Sequence, residues 1–253
     1  MLPYEDPAAG CGREFAGGRP TVKRRKTWGI YLAVGVLVAL LAVGHILQDH
    51  SRAIKKVPTS HKIIALTFDD GPHPLTTQAL LAVLSAKNAR ATFFLLGENA
   101  AKFPGLLADL AAAGQEIASH GYRHQFPNKQ PREELYADLT RFQTVVAAVG
   151  ARPVLFRPPG GGYNDLLVAD LAARGYSTIL WSIDPRDWER HSSAQIANAI
   201  IRQAAPGGII LLHEGECAVN TPAAVAAVID RLRGEGYEFV TVGELLQYYE
   251  IRQ

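Results

Sequence analysis

The chain beyond about residue 60 alternates between two patterns of apolar residues. Short apolar runs typical of buried strands are each followed by a stretch with apolar residues at helical spacing. The strand-like runs lie at residues 62–68, 91–96, 115–119, 154–156, 176–183, 208–212 and 238–240. The helix-like stretches lie at 76–87, 99–113, 131–149, 165–174, 192–204, 222–233 and 244–249. This α/β alternation predicts a parallel sheet covered by helices, as a distorted (β/α)7 barrel or a doubly wound open sheet.

The first 60 residues have a different character. Four cations at residues 23–26 precede the stretch 28–47, which is apolar except for His45. A helix of that length rises about 30 Å, the thickness of a bilayer core. We expect an uncleaved transmembrane signal anchor; a cleaved signal peptide would be shorter, and a buried core helix would not be flanked by cations.

The cations also predict the orientation of this anchor. Because they are denser before the span than after it, residues 1–27 are expected to be a cytoplasmic basic tail. Residues 48–60 would form a tether. Residues 61–253 would then form one extracytoplasmic domain at the cell membrane, with the lipid bilayer as the partner of residues 28–47.

Composition excludes several classes of function. The net charge is only +2, so no basic excess suggests a nucleic-acid partner. The sequence has neither a GxGxxG nor a P-loop pattern, and no nucleotide is expected. The two cysteines, Cys11 and Cys217, form neither a disulfide framework nor a thiolate cluster.

Polar residues that could take part in catalysis or bind a metal lie at the ends of the predicted strands. In parallel barrels the active site forms at the carboxyl ends of the strands. The residues in such positions are Asp69, Asp70, His120, His124, Arg157, Asp184, Asp187 and His213. One Asp with two His would suit Zn²⁺ with an open position, and the spacing of His120 and His124 would place both rings on one face of a helical turn.

Each of these signals has an ordinary alternative when taken alone. Asp70 could belong to a simple turn, Arg157 could be a surface cation, and His213 could be a hydrogen-bonded core residue. Two adjacent carboxylates on a strand point to opposite faces, so Asp69 and Asp70 reach one site only if the strand ends between them.

Five short motifs resemble those of the NodB-like polysaccharide deacetylases, the fourth carbohydrate esterase family. They are TFDDGP at 67–72, HGYRH at 120–124, RPPGG at 157–161, DPRDW at 184–188 and LLH at 211–213. All five occur in the order of that family. The resemblance covers residues from about 60 to 250 and implies a distorted barrel, the NodB homology domain, that hydrolyses acetyl groups with the help of a metal.

The resemblance also implies roles for individual residues. The metal, most simply Zn²⁺, would be bound by Asp70, His120 and His124. Asp69 would act as general base, with Arg157 paired to it, and His213 as general acid, oriented by Asp187. The N–H of Gly160 would stabilise the oxyanion, and Trp188 and Leu211 would wall the acetyl pocket.

Three positions depart from the family pattern. Gly121 stands where a hydroxyl residue usually helps to hold the metal loop. Gly160 stands where an aromatic residue often forms a wall of the substrate groove. Glu214 stands where Asp often follows the last histidine. None of these changes removes a titratable catalytic group.

The expected substrate is an N-acetylated polysaccharide. For an enzyme tethered outside a membrane, the expected polymer is peptidoglycan, with hydrolysis at N-acetylglucosamine or N-acetylmuramic acid. Chitin oligosaccharides and O-acetylated polysaccharides are the alternative substrates. An inactive, membrane-tethered carbohydrate-binding protein is the alternative from another class.

Overall fold

A computed structural model describes residues 52–250 of the chain, except for the side chain of Asn128. The predicted cytoplasmic tail, the anchor at 28–47 and the first part of the tether lie outside these residues. Between residues 52 and 250, no helix has the length and apolar character needed to cross a membrane.

A parallel sheet of seven strands forms the centre of the described domain. The strands are β1 (Ile63–Asp69), β2 (Thr92–Leu95), β3 (Glu116–Ser119), β4 (Leu155–Phe156), β5 (Ser177–Thr178), β6 (Gly208–His213) and β7 (Glu238–Phe239). Their order is β5-β4-β3-β2-β1-β6, and β7 pairs with the beginning of β1. The alternating pattern therefore predicted both the number of strands and their parallel pairing.

Helices connect the strands and cover the outer face of the sheet. They are α1 (Thr77–Ala86), α2 (Gly97–Lys102), α3 (Pro104–Ala112), α4 (Arg132–Val146), α5 (Asp165–Ala173), α6 (Ser193–Gln203), α7 (Thr221–Gly234) and α8 (Val242–Leu245). Local sequence explains several of their starts. Ser192 and Gln195 form a capping box before α6, and the side chain of Asn164 caps α5.

The sheet curls into a half-barrel, and isolated bridges complete its sides where regular strands end. Ile183, beyond β5, bridges to Ile210 of β6. Ile54 bridges to Ile179, and Lys56 bridges to Gly208. Val57 is buried in this region. The predicted tether therefore overlaps the folded unit from Ile54 onward.

The central strand β1 shows how the core leads to the polar site. Its seven residues are all buried. Ile64, Leu66 and Phe68 face the apolar layer beneath the helices, whereas Ile63 and Ala65 face the interior of the curl. The period of two places Asp69 on this same inner face, at its carboxyl end. The interior is thus apolar at one end and carries charge at the other.

Candidate active site

The strand ends bring the predicted catalytic residues together. Asp69 at the end of β1 is the register partner of His213 at the end of β6. His120 follows β3 directly, and Arg157 follows β4. This agrees with the rule that the carboxyl ends of parallel strands carry the site.

Asp70, His120 and His124 form a compact set of atoms that could hold a metal ion. Asp70 Oδ1 lies 3.6 Å from His120 Nε2 and 3.7 Å from His124 Nε2. One ligand atom from each residue lies within 4.8 Å of the others. Asp70 Oδ1 is also buried without a hydrogen-bond partner. A buried carboxylate oxygen without a partner, facing two imidazoles, fits a divalent ion with an open coordination position.

His120 has the protonation state that a metal ligand requires. Its Nδ1 lies 2.8 Å from the carbonyl oxygen of Arg157, which only accepts hydrogen bonds. The ring proton is therefore on Nδ1, and the Nε2 lone pair faces Asp70 and His124. Burial lowers the pKa of His120, which favours this neutral form.

The strand ends between the two adjacent carboxylates, so both reach the same site. Asp70 lies just beyond β1 with a φ of 73°, a left-handed conformation that turns it away from the strand alternation. Two hydrogen bonds hold this turn: Asn99 Nδ2 donates to the Asp70 carbonyl at 2.7 Å, and the Leu96 N–H donates to the Gly71 carbonyl at 2.9 Å.

Arg157 is fully buried and pairs with Asp69. One of its nitrogens lies 2.7 Å from Asp69 Oδ1 and also 2.7 Å from the Thr67 hydroxyl. The guanidinium donates further to the Ile179 and Leu180 carbonyls. A buried charge is tolerated when its donors are satisfied, and here each of the three guanidinium nitrogens has an acceptor. The pair orients Asp69 so that its second oxygen lies 3.8 Å from His120 Nε2.

His213 is held by Asp187 on the other side of the site. Its Nδ1 lies 2.8 Å from Asp187 Oδ1, and its backbone N–H donates to Asp187 Oδ2 at 2.9 Å. The Thr221 hydroxyl donates to the same Oδ2. Burial by itself would lower the pKa of His213, but the hydrogen bond and the charge of Asp187 outweigh it and raise the pKa from 6.5 to about 9. The ring is therefore a proton donor at neutral pH.

Asp187→Asn should shift the pH dependence of the reaction. With the charge of Asp187 removed and the burial retained, the pKa of His213 should fall. The loss of activity on the alkaline side should therefore begin at a lower pH than in the wild type. We expect about a 10- to 100-fold lower kcat at pH 8, measured as a full pH–rate profile. Glu189→Gln, which changes the acidic residue two positions away, is the matched control. An unchanged alkaline limb in Asp187→Asn would refute the role of the pair.

The loop between His120 and His124 is held without a hydroxyl at residue 121. Gly121 has a φ of 89°, and a Cβ there would meet Asp138 Oδ2 at 3.0 Å. Asp138, from α4, instead accepts a hydrogen bond from the Tyr122 N–H at 2.5 Å. The Gly121 and Tyr122 carbonyls accept hydrogen bonds from the first residues of α2. Asp138, which the motifs did not identify, therefore helps to hold this loop, together with the Ser119 hydroxyl, which accepts a hydrogen bond from the Gly121 N–H.

Glu214 packs against Gly71 in the turn after Asp70. Its Oε1 accepts a hydrogen bond from the Thr77 hydroxyl, and a Cβ on Gly71 would lie 1.4 Å from its Oε2. Only glycine leaves room for this carboxyl group. Burial raises the pKa of Glu214 to about 8, so it is largely protonated at neutral pH. The longer side chain therefore fills space at the turn as a neutral group.

The remaining predicted residues lie around this centre. Leu211 is buried, on the same face of β6 as His213 and two residues before it. Gly160 lies exposed with a φ of 64°. Trp188 is exposed beside Arg186, not packed in the core. Asp184 accepts a hydrogen bond from the Arg186 N–H and caps its own turn.

Similarity to known proteins agrees with this geometry. A family model described as polysaccharide deacetylase matches residues 56–179. A peptidoglycan-N-acetylglucosamine deacetylase from Bacillus cereus is 39% identical over 196 residues, which cover 76% of this chain and 92% of that protein. The peptidoglycan-N-acetylmuramic acid deacetylase PdaC of Bacillus subtilis is 34% identical over 78% of this chain, but this match spans 41% of that longer protein.

Solved structures show the same fold. A peptidoglycan N-acetylglucosamine deacetylase superposes with a TM-score of 0.76 at 30% identity, covering 81% of this chain and 97% of that one. A CE4 family pseudoenzyme from Bacillus anthracis superposes with a TM-score of 0.73 at 25% identity, covering 79% of this chain and 71% of that one. Because a pseudoenzyme shares this fold, the fold alone does not establish activity, which has to be argued from the residues of the site. The sequence similarity does establish the family: this chain belongs to the NodB-like polysaccharide deacetylases, carbohydrate esterase family 4.

Proposed function

We propose that this protein is a metal-dependent hydrolase that removes acetyl groups from N-acetylated cell-wall sugars. The observation that most strongly supports this proposal is that two polar pairs lie around a set of three possible metal ligands. The pairs are Asp69–Arg157 and Asp187–His213, and the ligands are Asp70, His120 and His124. Peptidoglycan is the favoured polymer, at N-acetylglucosamine or N-acetylmuramic acid, because the relatives named above are peptidoglycan deacetylases.

The ligand set would hold a divalent ion, most simply Zn²⁺. Such an ion, when bound, lowers the pKa of a water ligand and polarises a carbonyl group. The borderline character of two imidazole nitrogens and one carboxylate oxygen suits zinc.

Asp69 is the general base in this proposal. Its Oδ1 is occupied by Arg157, which leaves Oδ2 directed toward the ligand set to take a proton from the attacking water. The water oxygen forms a bond to the acetyl carbon, and the Gly160 N–H is proposed as a donor to the resulting oxyanion. Trp188 and Leu211 are proposed as walls around the acetyl methyl group.

His213 is the general acid. Its imidazolium donates a proton to the sugar nitrogen as the carbon–nitrogen bond breaks, which releases acetate and a free amine. Amine departure from a tetrahedral intermediate needs this proton much more than alkoxide departure does. The raised pKa of His213, about 9, therefore favours N-deacetylation over hydrolysis of O-acetyl esters.

The anchor would place this chemistry next to its polymer. We propose that residues 28–47 cross the cell membrane once, with the N-terminus in the cytoplasm and the catalytic domain outside. A reporter that is active only in the cytoplasm, fused after Gln253, should be silent. Strong reporter activity would contradict this topology.

Acetate release by the purified protein tests the proposed function. We expect acetate and matching free amines from peptidoglycan, with less from N-acetylglucosamine oligomers and least from O-acetylated xylan. A chelator should abolish the release, and added Zn²⁺ should restore it. Acetate from xylan alone would favour the esterase alternative, and no acetate from any polymer would favour the carbohydrate-binding alternative.

A further inference from the structure

Phe126 lies at the rim of the site, between a metal-ligand residue and the proposed oxyanion donor. Its ring makes an edge contact with the His124 ring, at 6.0 Å between centroids. On its other side the ring covers Gly160, where a Cβ would lie 2.5 Å from Phe126 Cε1. The side chain thus joins the loop after β3 to the loop after β4.

Gly160 leaves the space that Phe126 fills. A side chain at residue 160 would collide with the ring, and its φ of 64° also disfavours any residue with a Cβ. Without Phe126, the substrate groove would have no side chain to form its wall at Gly160. Phe126 supplies an aromatic ring at that place from a different segment of the chain.

The Phe126 side chain is exposed to solvent although its ring contacts two loops of the site. The described core contains fully buried phenylalanines such as Phe68 and Phe93, whereas Phe126 is 42% exposed. Lys129 Nζ lies 4.9 Å from the ring centroid, and the side chain remains open to solvent despite this cation. One exposed aromatic residue is ordinary on a protein surface. Its position between His124 and Gly160 is what points to a ligand.

We propose that Phe126 is the platform on which a pyranose ring of the substrate packs, and that it determines preference for oligosaccharides over small acetyl compounds. A pyranose ring carries C–H groups on its faces, and these pack well against an aromatic ring. A sugar placed on Phe126 would present its neighbouring acetamido group to the ligand set beside His124. This inference rests on the proposed function, because it assigns a substrate contact within the same site.

Steady-state kinetics on two substrates test the platform. For Phe126→Ala we expect kcat/KM on the N-acetylglucosamine tetramer to fall about 10-fold, mostly through KM. Hydrolysis of 4-nitrophenyl acetate, which has no sugar to pack, should change less than twofold. Phe126→Trp should retain wild-type values on both substrates. The matched control is Tyr248→Ala, because Tyr248 is a similarly exposed aromatic (38%) that contacts His61, just before β1 at the opposite end of the strands.

A binding measurement separates this inference from the proposed function. The glucosamine tetramer, which is the product and is not consumed, should bind about 10-fold more weakly to Phe126→Ala in calorimetry, even if the wild-type protein hydrolyses nothing. Equal affinity for both proteins would overturn the platform. An equal loss on both kinetic substrates would overturn it as well, because the ring would then act only by positioning His124.

Discussion

Replacing Asp69 with asparagine should lower kcat by about 10³-fold, because the amide cannot take a proton from the attacking water. The substitution is nearly isosteric, and Arg157 keeps its hydrogen bonds to Thr67, Ile179 and Leu180. The protein should therefore fold, with KM changed less than threefold. Acetate release at saturating substrate measures the effect.

Asp184→Asn is the matched control for that experiment. Asp184 caps its own turn and has no part in the proposed chemistry, so its replacement should leave kcat within about twofold. Circular dichroism and thermal unfolding show whether Asp69→Asn is folded. A folded Asp69→Asn protein with a kcat within 10-fold of wild type would remove Asp69 from the role of general base.

Replacing His124 with alanine should abolish metal-dependent activity almost completely. Two donors, Asp70 and His120, would remain of the three, and zinc affinity should fall by at least about 100-fold. At equal zinc and protein concentrations, kcat should drop by about 10³-fold. The side chain of His124 is 42% exposed, so stability should change little.

His61→Ala is the corresponding control, because His61 is an exposed histidine before β1, at the far end of the strands. It should bind zinc and release acetate as the wild type does. Retention of tight zinc binding by His124→Ala, with activity preserved, would show that the ion is held elsewhere.

The sequence predicted much of the fold because its signals are local. Apolar runs and helical spacing predicted the strand and helix units in their correct order. Position at the end of a predicted strand identified Asp69, His120, Arg157 and His213 as candidate site residues. The curl of the sheet was less predictable. It depends on isolated bridges such as Ile54 with Ile179, which join residues far apart in the sequence and leave no periodic pattern.

The supporting residues of the site were missed for the same reason. Asp138 of α4 accepts a hydrogen bond from Tyr122 in the loop after β3, and Glu214 packs against Gly71 across a sequence distance of more than 140 residues. A lone carboxylate on a helix has no local signature of such a role. Phe126 had a signal that could have been used: an aromatic residue two positions after His124, in a chain where Gly160 lacks a side chain.

The left-handed turn at Asp70 is the local feature on which the site depends. From the alternation of a strand, Asp69 and Asp70 would point apart, and only the φ of 73° lets both serve one centre. Asn99 of α2 and Leu96, which follows β2, donate the hydrogen bonds that stabilise the turn, and Glu214, which follows β6, packs against Gly71. Tertiary structure, rather than the DDGP motif alone, makes the ligand set.

Anomalous diffraction from zinc-soaked crystals of the domain tests the central claim most directly. We predict one strong anomalous peak for a zinc ion that lies about 2.0–2.2 Å from each of Asp70 Oδ1, His120 Nε2 and His124 Nε2. Asp69 and His213 should not coordinate the ion. No peak among these three residues, or a fully occupied peak elsewhere in an active protein, would contradict it.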